Sequence, residues 1–94
     1  MAQLDRLDDL SGDSLVRRRV GAICLLEFDQ ESGRLRAILG DRELAMPGEL
    51  EPTMRMILDR GVFQVKQLED LDEESRIRLV RRLIVEGLLE VPSN

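Results

Sequence analysis

The chain has 94 residues, a formal net charge of −5, 43% hydrophobic and only 2% aromatic residues. That length supports one domain rather than two, and the aliphatic content is too high for a chain that stays unfolded. With no Trp or Tyr, the core must be built from Leu, Ile, Val and Met, and the exposed aromatic platforms that bind single-stranded nucleic acid are lacking.

The chain contains no histidine. This removes the usual general base near neutral pH, Ser–His and Cys–His nucleophile pairs, imidazole zinc sites and two-His-one-carboxylate iron sites. A lone cysteine, Cys24, cannot form an internal disulfide or an all-Cys zinc site. It sits in the apolar run Ala22-Ile23-Cys24-Leu25-Leu26 and reads as a small buried hydrophobe. The remaining carboxylates fall in turns and helix starts, where solvation and the helix dipole account for them. We therefore expect no enzyme activity, no cofactor and no metal.

Residues 1–15 read as a leader, separate from a domain spanning 16–92. Leu4, Leu7 and Leu10 recur at helical spacing, and Ser11-Gly12-Asp13-Ser14 breaks the run. Asp5, Asp8 and Asp9 interrupt what a signal peptide would keep apolar, and no stretch reaches the ~20 apolar residues of a membrane span. A cytoplasmic setting without membrane contact is expected.

From Val16 to Phe28 the spacing predicts one strand, with Val20, Ala22, Cys24, Leu26 and Phe28 on one face. Residues 29–33 read as a turn and 34–39 as a second strand. Gly40-Asp41 is a Gly-first hairpin connector, leading to a short third strand over 42–46. A helix follows, with Leu50, Met54, Ile57 and Leu58 on one face, Pro52 in its first turn and Gly61 as its cap. Residues 62–65 read as an extended link and 66–71 as a short second helix. Asp72 is a good N-cap for a third helix, with Glu73 and Glu74 in its first turn and Ile77, Val80, Leu83, Ile84 and Leu88 along its stripe. Residues 88–91 read as a closing strand. The expectation is an α+β, winged-helix-like domain: a three-stranded antiparallel sheet, three helices and a possible short C-terminal strand.

Two basic clusters interrupt an acidic chain. Arg17, Arg18 and Arg19 stand before the alternating residues, from Val20 on, of the first predicted strand, where they protect a sheet edge or contact an anion. Arg76, Arg78, Arg81 and Arg82 lie on the third helix, with Glu74–Arg78 an i,i+4 pair. A helix-turn-helix contact with DNA is disfavoured because the end that would meet the bases carries Asp72, Glu73 and Glu74. The third strand, with Arg42, Glu43, Leu44, Ala45 and Met46, reads as an edge beside the third helix. Together with Arg78, Arg81, Arg82 and Val85 it would form a groove able to take an extended, acidic or amphipathic peptide as an added strand. Cover by the leader or by another subunit is the competing reading.

The run from Val16 through Arg17-Arg18-Arg19 to Cys24, then Leu39-Gly40-Asp41-Arg42-Glu43-Leu44 and Met46-Pro47, looks like a known module. So does Leu71-Asp72-Glu73-Glu74-Ser75-Arg76 continuing through Leu79-Val80-Arg81-Arg82-Leu83-Ile84 to Glu86-Gly87-Leu88-Leu89. Together they resemble the C-terminal winged-helix region of bacterial cupin-type, JmjC-like oxygenases of the ribosomal-oxygenase kind. The iron ligands of that family, two His and one acid, lie in another domain, and no His here matches them. The resemblance implies an accessory module without the catalytic part. The element order is also similar to small proteins that recognise precursor-peptide leaders, such as the pyrroloquinoline-quinone biosynthesis chaperone.

The function expected is a non-catalytic protein- or peptide-binding accessory module, whose partner is a modifying enzyme or a precursor peptide. The alternatives are a DNA-binding winged-helix regulator and a structural or self-associating module of a larger oxygenase. Duplex DNA retardation at low salt would separate the second reading, and a sedimentation measurement of homo-oligomers the third.

Overall fold

Burial at every second residue builds a hairpin from β3 (Arg34–Leu39) and β4 (Arg42–Pro47), joined by Gly40-Asp41. The computed structural model describes residues 10–92. Gly40 takes a positive φ of 65°, as a Gly-first two-residue turn requires. Leu35, Ala37, Leu44 and Met46 turn to the interior, while Arg34, Arg36, Glu43 and Ala45 face out. β2 (Leu25–Asp29) pairs antiparallel with β3, giving a sheet ordered β2-β3-β4. Its turn is held by the Asp29 carboxylate, which accepts the Glu31 N–H and the Ser32 hydroxyl, each at 3.0 Å.

The strand expected over 16–28 is two strands in two different sheets. β1 (Leu15–Arg18) is the middle strand of a second antiparallel sheet, between β5 (Val62–Gln64) and β6 (Leu89–Glu90). The chain leaves β1, turns through Val20-Gly21 and begins β2 at Leu25. The break explains why Val20, expected on a packed face, is almost wholly exposed, and why Ile23 is exposed too. Alternation alone cannot distinguish one covered strand from two strands joined by an apolar loop. The single three-stranded sheet of the sequence reading is thus corrected to two.

Two α-helices, not three, are present among the described residues: α1 (Glu51–Arg60) and α2 (Glu73–Val85). The helix expected over 66–71 is a single 3-10 turn, Val65–Gln67. The side chains of Gln64 and Gln67 cap it reciprocally, with the Gln64 N–H donating to Gln67 Oε1 at 2.8 Å. Leu68 then leaves helical geometry, and its carbonyl accepts the Arg76 Nε–H at 2.7 Å. The same carbonyl also accepts the Leu71 N–H at 3.2 Å, and the turn ends where Leu68, buried in the core, leaves helical geometry with ψ 68°.

α2 begins at Asp72, which holds an extended N-cap conformation. The neighbouring Ser75 hydroxyl is the main cause of a carboxyl pKa below the ordinary value. The helix ends at Gly87, with φ 89°, where the Leu88 N–H donates to the Leu83 carbonyl and the Gly87 N–H to that of Ile84. This turn sends the chain back as β6 along β1. The closing strand is therefore present, paired with β1 rather than with the hairpin.

The core lies between the two sheets and the two helices and includes Val16, Met54, Ile57, Phe63, Val80 and Leu83. The folded part reaches back to Leu10, which is buried; the Ser14 carbonyl accepts the Val65 N–H and the Gly12 carbonyl that of Lys66. The helical turn expected around Leu4 and Leu7 lies outside the described residues. Among the described residues no helix is long and apolar enough to cross a membrane.

Candidate functional site: the trough between β4 and α2

Among the described residues β4 is an edge strand, as its position after the last hairpin predicts. Across a two-residue hairpin the pairs Leu39–Arg42, Ala37–Leu44 and Leu35–Met46 are the hydrogen-bonded ones, because bonded and non-bonded pairs alternate. The backbone N–H and C=O of Glu43 and Ala45 therefore point away from β3, along the free edge. Pro47 adds a carbonyl there and no N–H.

Beside that edge runs α2. A cleft of about 270 Å³ is lined by Glu43, Leu44, Ala45 and Met46 on one side and Leu79, Arg82 and Leu83 on the other. A second cleft of about 600 Å³, lined among others by Pro47, Leu50, Leu71 and Ser75, shares Leu79 and Arg82 with the first. The two form one trough that follows β4 and the chain beyond it. Its floor is aliphatic and its rim charged.

The expected residues divide. Glu43, Leu44, Ala45, Met46, Arg78 and Arg82 line the trough. Arg81 and Val85 are not among its lining residues. Arg42 stands at one end, where its guanidinium meets Glu86 Oε1 at 2.8 Å; Arg82 Nε meets the other oxygen of Glu86 at 3.1 Å. Arg78 pairs with Glu74 at 2.7 Å, the i,i+4 contact the sequence predicts. Glu86, Leu79, Leu50 and Leu71 were not legible as site residues. The Leu79–Leu83 spacing, one turn and offset from the main stripe, was the available signal for the apolar side, and Arg82–Glu86 for the clasp.

No protein-family model and no curated protein matches the chain.

Arg17, Arg18 and Arg19 lie in and just after the central strand β1, not at a sheet edge. Arg17 Nε meets Glu90 at 2.6 Å and Arg19 lies 3.8 Å from the same carboxylate, while Arg18 reaches the Leu58 carbonyl at 3.5 Å. Arg17 and Arg19 thus share one carboxylate, and Arg18 meets a neutral carbonyl. Cys24 is half-buried in a shallow cleft between β2 and α1, beside Met56 and Arg55. Burial raises its thiol pKa, only partly offset by Arg18, so it remains a neutral thiol at pH 7. No group of His, Cys, Asp and Glu side chains suited to holding a metal occurs among the described residues.

Proposed function

We propose that this chain is a non-catalytic, winged-helix-like accessory module that binds a protein or peptide partner by adding an extended segment to β4, alongside α2. The observation that carries the reading is the free edge of β4 facing an aliphatic trough. An unpaired strand edge supplies backbone hydrogen bonds for affinity, and pockets beside it select alternate side chains. The winged-helix description rests on α1, the 3-10 turn and α2 followed by a returning strand, with the 3-10 turn standing where a second helix would be. The resemblance to the terminal module of cupin-type oxygenases fits the same role, with a peptide-modifying enzyme or a precursor peptide as partner.

DNA binding is the weaker reading. The loss of the second helix removes the helix-turn-helix pair, and Glu69, Asp70, Asp72, Glu73 and Glu74 cluster at the end of α2 that would approach the groove.

Amide hydrogen exchange tests the proposal. In the free chain the outward Glu43 and Ala45 amides, which have no partner among the described residues, are expected to exchange rapidly. Titration with a pool of short, unstructured peptides of alternating apolar and polar residues is expected to protect both amides. Exchange at Glu43 and Ala45 that stays unchanged at saturating peptide rules the reading out.

A further inference from the structure

We propose that the segment β4 accepts runs antiparallel to it and carries, from its N-terminus, a large apolar residue, a residue of any kind, an aliphatic residue and a basic residue. This rests on the strand-addition reading above and adds the chemistry of the ligand.

The register follows from the hairpin. Added on the free edge, a segment hydrogen-bonds to Glu43 and Ala45, and its residues opposite those two share their face, away from the core. Its residues opposite Leu44 and Met46 share the inward face and meet α2. Alternate side chains on a strand recur about every 6.6 Å, and one turn of helix rises about 5.4 Å, so two successive inward side chains match the two clefts on either side of Leu79. The one opposite Leu44 enters the smaller cleft, with Leu83 and the stem of Arg82. The one opposite Met46 enters the larger, among Pro47, Leu50, Leu71 and Leu79. A bulky side chain suits the second and a Val, Ile or Leu the first. The antiparallel direction is taken because it gives straighter hydrogen bonds and continues the pattern of the sheet. In that direction the larger side chain comes first.

Charge sets the fourth position. The sequence reading expected arginines to draw an acidic peptide, but Arg42 and Arg82 share Glu86, and Arg78 holds Glu74. The exposed charge directly across from the incoming strand is Glu43, which lies 3.7 Å from Arg36, itself also paired with Glu27. An opposite charge facing Glu43 across the ladder is favourable and a like charge is not.

The test uses short fluorescent peptides in a Ser/Gly frame, read by anisotropy and by the amide shifts of 42–47. A Phe-Thr-Val-Lys core is expected to bind roughly fivefold more tightly than Phe-Thr-Val-Glu, and more tightly than the reversed core or one with the apolar residues adjacent. In the Glu43→Lys variant, an exposed change that leaves the core intact, the preference for Lys over Glu is expected to invert. Peptides that move the β4 amides without regard to the fourth residue overturn the charge rule but leave strand addition standing. Equal binding of the reversed core overturns the direction. If no peptide moves those amides, both proposals fall.

Discussion

The Arg42 guanidinium meets the Glu86 carboxylate at 2.8 Å, tying the start of β4 to the end of α2 across 44 residues of sequence. Glu86 is the more buried partner and also holds Arg82. Replacing it by Gln leaves two arginines that remain solvated, so the loss is modest, about 1 kcal/mol. The denaturant midpoint is expected to fall with the slope unchanged, and affinity for acidic peptides to rise as two cations are released beside the trough. An unaltered midpoint together with unaltered peptide preference would show that the clasp does neither.

Gly48 lies where the chain passes from β4 into α1. A Cβ there would stand 2.2 Å from the Gly33 carbonyl oxygen and 2.6 Å from Phe28 Cε2. The first contact is with backbone and cannot be relieved by a rotamer change. Gly48→Ala is expected to destabilise the domain by about 1–3 kcal/mol, as overpacking does, measured by thermal or urea unfolding. Alanine at Gly12, where the nearest atom lies at 3.4 Å, is the comparison and is expected to cost less.

Thr53 is buried in α1, and its hydroxyl oxygen has no hydrogen-bond partner among the described residues. Thr53→Val keeps the shape and removes the unsatisfied group. A gain of about 1 kcal/mol in unfolding free energy is expected. A loss of similar size would mean that the hydroxyl does useful bonding.

Two exposed carboxylates titrate low. Asp29 is lowered first by the Glu31 backbone N–H and then by the Ser32 hydroxyl, and Asp72 first by the Ser75 hydroxyl. A carboxylate whose folded pKa lies below its ordinary value of 3.8 adds stability above that value and loses it as pH falls through the folded pKa. The stability of the native chain is therefore expected to decline more steeply below pH ~4 than that of Asp29→Asn. Parallel acid-unfolding curves would contradict the assignment, and carboxyl NMR titration reads the two groups directly.

The sequence by itself determined the elements whose signals are local. The Gly40-Asp41 hairpin, α1 from Pro52 to its Gly61 cap, and α2 from Asp72 onward follow from alternation, helical spacing and capping within a few residues. The missing histidines narrowed the chemistry in the same way. What only the tertiary structure decided depends on partners far along the chain. Residues 16–28 split because Arg17 pairs with Val62 on one side and Glu90 on the other, while Leu26 pairs with Ala37 in another sheet. The helix expected over 66–71 is a single 3-10 turn because Leu68, buried in the core, leaves helical geometry. Five of the arginines conspicuous in sequence, Arg17, Arg19, Arg42, Arg78 and Arg82, pair with Glu90, Glu86 and Glu74, and the apolar trough beside β4 emerges from Leu50, Leu71 and Leu79 on three separate segments. A local pattern shows which face of an element is apolar. Which other element covers that face is set by long-range packing.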